Sequence, residues 1–193
     1  INHKRAQRVM VQFNLLPSRR RILHYSTVST PHHTYHNLLK GICVTGSHQV
    51  WCSDVSRLVY RGTIWYLATI EDRATRQVVA TRIGKRHDSQ LVLETLKQAL
   101  ATQPPPTIFH SDQGTEFMAQ RCTDYLQQRG VRISVSDVAS PWQNGHIESF
   151  FGRFKQEFGD IHRFETAGEM LAAVYQHICY YNHRRIHTVL KMP

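Results

Sequence analysis

Residues 48–83, HQVWCSDVSRLVYRGTIWYLATIEDRATRQVVATRI, decide how this chain folds. Three runs, 48–57, 63–71 and 77–83, are rich in Val, Ile, Thr, Trp and Tyr, the residues that suit a pleated, half-buried surface. Arg61-Gly62 separates the first two and DRATR (72–76) separates the second and third. Short strands joined by turns of this kind predict an antiparallel three-strand meander. One residue breaks the apolar character of the first run. Asp54 stands in its middle, between Ser53 and Val55, where an unpaired charge is costly. Glu71 and Asp72, at the end of the second run beside Arg73 and Arg76, read as turn and ion-pair residues.

Beyond the meander the pattern alternates. Asp88 or Ser89 caps a helix that turns Leu91, Val92, Leu96, Ala99 and Leu100 inward, and Pro104-Pro105-Pro106 ends it. TIFHS (107–111) is a fourth strand running into Asp112. A helix over about 117–129 is closed by Gly130, and 131–135 is a fifth strand. Two helices follow, at about 145–158 and 166–182. The order βββαβαβαα predicts an α/β class fold, a five-stranded mixed sheet flanked by helices.

The front of the chain differs. Ala6, Val9, Met10, Phe13 and Leu16 recur at helical spacing, which predicts an amphipathic helix over 1–16 with Asn2 as its cap and Pro17 as its stop. Net charge is +10, and residues 1–53 hold seven Lys or Arg (Lys4, Arg5, Arg8, Arg19, Arg20, Arg21, Lys40) with no Asp or Glu. Such a one-sided cationic arm suits polyphosphate. Residues 1–24 are expected to be the end of a DNA-binding region, 25–46 a linker and 47–193 the core. The chain begins at Ile1 and stops at Met192-Pro193, and it reads as a fragment of a longer protein. No run of eighteen apolar residues offers a membrane span. Four widely spaced cysteines, Cys43, Cys52, Cys122 and Cys179, form no CxxC pair and favour a reducing compartment. His32, His33 and His36 lie upstream of Cys43 and Cys52, but the eight residues between those cysteines do not match zinc-finger spacing, which favours a His-rich linker.

Three acids stand out: Asp54 in the first strand, Asp112 at the end of the fourth, and Glu148 on the helix after SPWQNG (140–145). On that helix Ile147, Phe150, Phe151, Phe154 and Phe158 make the apolar stripe, while Glu148, Gly152 and Lys155 make a second stripe bordering it. Phosphodiester attack needs an activated hydroxyl and a stabilised leaving oxygen, which two divalent ions about 3.5–4 Å apart supply. Carboxylate oxygens select Mg²⁺, with Mn²⁺ as a substitute.

The blocks VWCSDVS, WYLATIEDRATRQVV, HSDQGTEF, IESFFGRFKQE and YYNHRRIH, with thirty-five residues between Asp112 and Glu148, resemble the DDE superfamily of transposases and retroviral integrases. The nearer likeness is to bacterial transposases of the insertion sequence three family, and INHKRAQRVMVQFNLL resembles the end of their helix-turn-helix region. The resemblance implies a ribonuclease H-like core. It also implies that Asp54, Asp112 and Glu148 bind two Mg²⁺ ions, and that the enzyme cleaves element ends and transfers the freed 3′-OH to another strand. Double-stranded DNA at element ends and targets, a homo-oligomer on DNA and a bacterial cytoplasmic setting are implied with it. Lys155 matches a DNA-contacting position. Arg153, Asn144 and Gly145, with the basic arm, complete the expected DNA contacts. Gln113 stands where the family usually has Asn, Arg or Lys, and Glu116 is an extra acid that reads as a bystander. A retroelement integrase, a DNA-binding derivative without activity and an RNA-cutting ribonuclease of the same fold are the alternatives.

Overall fold

A computed structural model describes residues 2–13, 35–137 and 140–187. It divides into two units, 1–31 and 32–193. The first holds one described helix, α1 (His3–Gln12). Asn2 caps it as expected, its side chain accepting from the Lys4 N–H. The helix ends at Gln12 rather than running to Pro17, and Val9, Met10 and Phe13 on its apolar side are exposed. Arg19, Arg20 and Arg21, like His32 and His33, lie outside the described residues.

The second unit is built on a five-stranded sheet of order β3-β2-β1-β4-β5. The strands are β1 (Val50–Tyr60), β2 (Thr63–Asp72), β3 (Val78–Gly84), β4 (Ile108–Ser111) and β5 (Arg132–Val135). β1, β2 and β3 form the antiparallel meander, and β4 and β5 run parallel to β1. The helices are α2 (Ser89–Thr102), α3 (Thr115–Met118), α4 (Gln120–Gln127), α5 (Gly145–Phe158) and α6 (Ala167–His183). Asp88 caps α2 by accepting from Leu91 N–H. The single helix expected over 117–129 is two, because Ala119 takes an extended conformation (φ −57°, ψ 134°) between α3 and α4.

Strand alternation sends β1 side chains to opposite faces. Val50, Cys52, Leu58 and Tyr60 pack with the phenylalanines of α5 and with Met170, Val174, Ile178 and Tyr181 of α6. Trp51, Ile70, Ala80, Phe109 and Ile133 pack with Val92, Leu96 and Ala99 of α2 on the other face. Trp51 is therefore core, as its place in the strand suggests. The end of the expected linker belongs to this unit: Leu38, Leu39 and Val44 pack on the α5 side, and the Leu38 N–H donates to Ser134 Oγ at 2.9 Å. The YYNHRR segment anchors α6. Asn182 accepts from Val78 N–H and donates to Val78 C=O, each at 2.9 Å, and so covers part of the edge of β3. Tyr181 is buried, whereas Tyr180 stays exposed.

Candidate active site

β1 and β4 pair in parallel with Cys52 opposite His110. Continuing that register by one alternation brings Asp54 level with Asp112, on the face that α5 covers. Asp54 is half-buried and its Oδ1 accepts from the Val55 N–H at 2.7 Å. Asp112 opens the loop after β4, exposed, with Oδ1 held by the Gly114 N–H at 2.9 Å. Glu148 lies exposed in the first turn of α5, beside the fully buried Ile147.

These acids sense one another. The Asp54 carboxyl is pushed up to about 6, first by desolvation and then by the negative charge of Asp112, with Glu148 and Glu116 adding to it against the Val55 N–H. Asp112 is also raised. Packing around its carboxyl is the first cause and Glu116 a further one, opposed by the Gly114 N–H and by His87. Although Asp112 shows surface to solvent, its neighbours withhold enough water to lift its carboxyl above the usual carboxylate range.

Glu116 is more than a distant bystander. Its Oε1 pairs with His87 Nε2 at 2.7 Å, and its carboxyl folds back over Gly114, where a Cβ would stand 2.7 Å from it. A side chain at 114 would push the Glu116 carboxyl aside. His110 is a packed strand histidine, fully buried between Ser134 Oγ (2.9 Å) and Ser136 Oγ (3.1 Å). Burial lowers it to about 4, with Arg73 adding to the effect, so the ring stays neutral.

The segment before α5 is tied down. Gln143 accepts from Asn37 Nδ2 and from Asp137 N–H, both at 2.7 Å, and donates to Asp137 Oδ2 at 2.8 Å. Lys40 Nζ reaches that same Oδ2 at 2.6 Å. Asn144, expected at the DNA, instead faces inward. It is 4% exposed and donates to Ser53 C=O, which ties the start of α5 to the strand carrying Asp54. Gly145 begins α5. Lys155 is exposed on α5 beside Gly152, where a Cβ would meet nothing within 4 Å, and Arg153 is half-buried. Lys4, Arg5 and Arg8 are exposed on α1.

A family model described as an integrase core domain matches residues 44–141, and a second of the same description matches residues 129–193. The chain belongs to the integrase core domain family. This integrase core is 30% identical over 193 residues to an uncharacterized transposase-like protein of Haemophilus influenzae, covering 99% of this chain and 89% of that one. It is 29% identical to a putative transposase, InsK, for the insertion sequence element IS150 of Escherichia coli, covering 99% and 69%. In fold it matches the HTLV-2 integrase catalytic core domain in complex with magnesium, with a TM-score of 0.64 at 16% identity over 75% of this chain and 92% of that one. The simian T-cell lymphotropic virus intasome matches with a TM-score of 0.66 at 20% identity over 84% and 58%. The ribonuclease H-like fold of those catalytic cores is the fold of this integrase core.

Among the described residues no three His, Cys, Asp or Glu side chains stand together tightly enough to hold a metal as they are placed. The donor set nevertheless fits in kind and in charge. All its atoms are hard carboxylate oxygens, and the Asp54 carboxyl, raised first by burial, is raised further by the negative charge of Asp112 and Glu148, which a cation would neutralise. Zinc finds no such set among the described residues, and all four cysteines are free. No described helix is long and apolar enough to cross a membrane.

Proposed function

We propose that this integrase core is the catalytic part of a DNA transposase, with Asp54, Asp112 and Glu148 as its metal-binding acids. The observation that supports the reading is the raised Asp54 carboxyl on β1, to which the charges of Asp112, just after the neighbouring parallel strand β4, and of Glu148 on α5 both contribute after desolvation. The reaction is cleavage at an element end followed by attack of the 3′-OH on a second strand. A bound Mg²⁺ pair would stabilise charge on the phosphate and activate the attacking oxygen.

This chain's own groups set the stage. Backbone N–H donors fix one oxygen of Asp54 and one of Asp112, leaving the other oxygen of each for a cation. Asn144 holds the start of α5 against β1, so Glu148 rides on an anchored helix. Lys155, two turns along the same face, supplies a cation to the DNA backbone. Lys4, Arg5 and Arg8 on α1 serve nonspecific phosphate contact.

The reading is tested by single-turnover cleavage of labelled element-end DNA. Asp54→Asn, Asp112→Asn and Glu148→Gln should each lower the Mg²⁺-dependent rate by more than about 100-fold, beyond what losing a supporting contact costs. A double variant should be no worse than a single one, because the acids act as a unit. Near wild-type cleavage by any of the three would place the chemistry elsewhere.

A further inference from the structure

A second constellation lies on the opposite flank of α5. Around the helix, the apolar stripe separates Glu148 and Lys155 on one side from His146 and Arg153 on the other. That other flank faces the end of β2, where Glu71, Arg76, His146, Arg153, Tyr181 and Trp142 line a cavity of about 290 Å³. The volume is near the lower end of small-ligand sites, about 300–1,000 Å³.

Three local features, each costly by itself, converge there. The β2–β3 register shifts between Ile70 and Glu71, and such an irregularity re-aims side chains. Glu71 is 1% exposed, and its Oε2 has no hydrogen-bond partner. Arg76 holds a left-handed backbone (φ 64°), and its guanidinium meets His146 Nδ1. Local rules are broken together mainly where a site requires it. Asp72, by contrast, is a fully satisfied turn residue, accepting from the N–H groups of His48, Ala74 and Thr75.

The lining restricts the ligand. A simple cation meets Arg76 and Arg153. A simple phosphate leaves the Glu71 oxygen without a donor. A ligand with an N–H edge at one end and an anion at the other satisfies both. Arg153 makes no ion pair among the described residues, because Glu157, one turn away, is engaged by Arg185 at 2.8 Å. Trp142, 73% exposed at the mouth, offers a ring face for stacking. Burial raises the Glu71 carboxyl to about 8 despite the opposing charge of Arg76, so it enters the contact with little ionic character to desolvate.

We propose that this cavity takes one unstacked nucleotide of a DNA strand, its base N–H edge on Glu71 and its phosphate on Arg153 and Arg76. The proposal rests on the DNA-processing reading above only in assigning the nucleotide to a strand. The test is calorimetric titration of the whole chain in EDTA, which reads no cleavage, so its failure and that of the transposase reading are separable. dCMP should bind saturably and about tenfold tighter than 2-deoxyribose 5-phosphate, which lacks the base and so the contact, a difference of about 1.4 kcal/mol. Glu71→Met should reduce dCMP affinity to that of the sugar phosphate. Arg153→Gln, on a half-buried helix position that leaves the core intact, should weaken both ligands alike. A duplex with one bulged cytidine should compete with dCMP better than the fully paired duplex. Equal binding of dCMP and sugar phosphate, no saturable binding, unchanged affinity in Glu71→Met, or no advantage of the bulged duplex would each overturn the proposal.

Discussion

The two flanks of α5 are built on opposite principles. On the Glu148 side, acids gather at the end of β4 and the middle of β1, where desolvation first and their mutual repulsion second raise the Asp54 carboxyl. On the His146 and Arg153 side, one acid is sealed from water among cations and rings. One helix serves both because its phenylalanine stripe, packed on β1 and α6, fixes its rotation and holds the two flanks about a helix's width apart. The contrast teaches that exposure and charge sign divide the labour. An open acidic face suits ions and a passing phosphodiester, and a half-open, mainly cationic cavity suits a small ligand held in place.

The comparison breaks most severely if the shared stripe is cut. Phe154 is 1% exposed and meets the rings of Phe150, Phe158 and His177. Phe154→Ala should cost about 3–5 kcal/mol of stability. Denaturant melts should show that loss, and cleavage and nucleotide binding should fall together. If one survives, the flanks do not depend on a common rotation of α5.

A smaller effect separates the flanks by pH. The folded-state value for Glu71, about 8, lies above its ordinary 4.5, so the folded form binds the extra proton. Its contribution to stability is complete below about pH 4.5 and is lost as pH rises through 8. Glu71→Met should therefore flatten the fall in melting temperature between pH 5 and 8.5. Each 1 kcal/mol recovered should raise the melting point at the alkaline end by about 2–4 °C. For Asp54 the same sign applies over a lower window, from 3.8 to about 6, and Asp54→Asn should flatten that part alone. Melts across the range, without metal, distinguish the two.

Smallest is the effect of a single surface cation. Lys155→Ala should weaken binding of end DNA by about 1.5 kcal/mol. It should also reduce the slope of log affinity against log salt by about 0.9. Its melting point should hold, since the stripe is untouched. A lower melting point with unchanged affinity would make Lys155 structural.

Much of the Glu148 flank was legible in the sequence, and the reason is physical. β-branched runs and turn residues locate the meander, the spacing of Ile147, Phe150, Phe151, Phe154 and Phe158 orients α5, and an acid in mid-strand is conspicuous because it is costly. The other flank was hidden. EDRATR reads locally as a polar turn, and nothing in it announces that the register shifts at Glu71 or that α5 and α6 close over the carboxyl. The inward turn of Asn144 was hidden for a similar reason. Its neighbours look like an exposed loop, and only the approach of β1 gives its amide a partner in Ser53 C=O. The break at Ala119 carries no glycine or proline to mark it. The features missed are those that depend on contacts distant in sequence.

The most direct test of the central assignment is the thermal response of the whole chain to Mn²⁺ or Mg²⁺, followed as melting temperature against metal concentration. A cation that binds the folded form raises stability by mass action, reaching about 2.7 kcal/mol at a hundred times its dissociation constant. Wild type and Glu116→Gln should gain to a similar extent, while Asp54→Asn, Asp112→Asn and Glu148→Gln should each lose most of the gain. An equal gain in all five proteins, or a gain lost only in Glu116→Gln, would contradict the assignment of Asp54, Asp112 and Glu148 as one metal site.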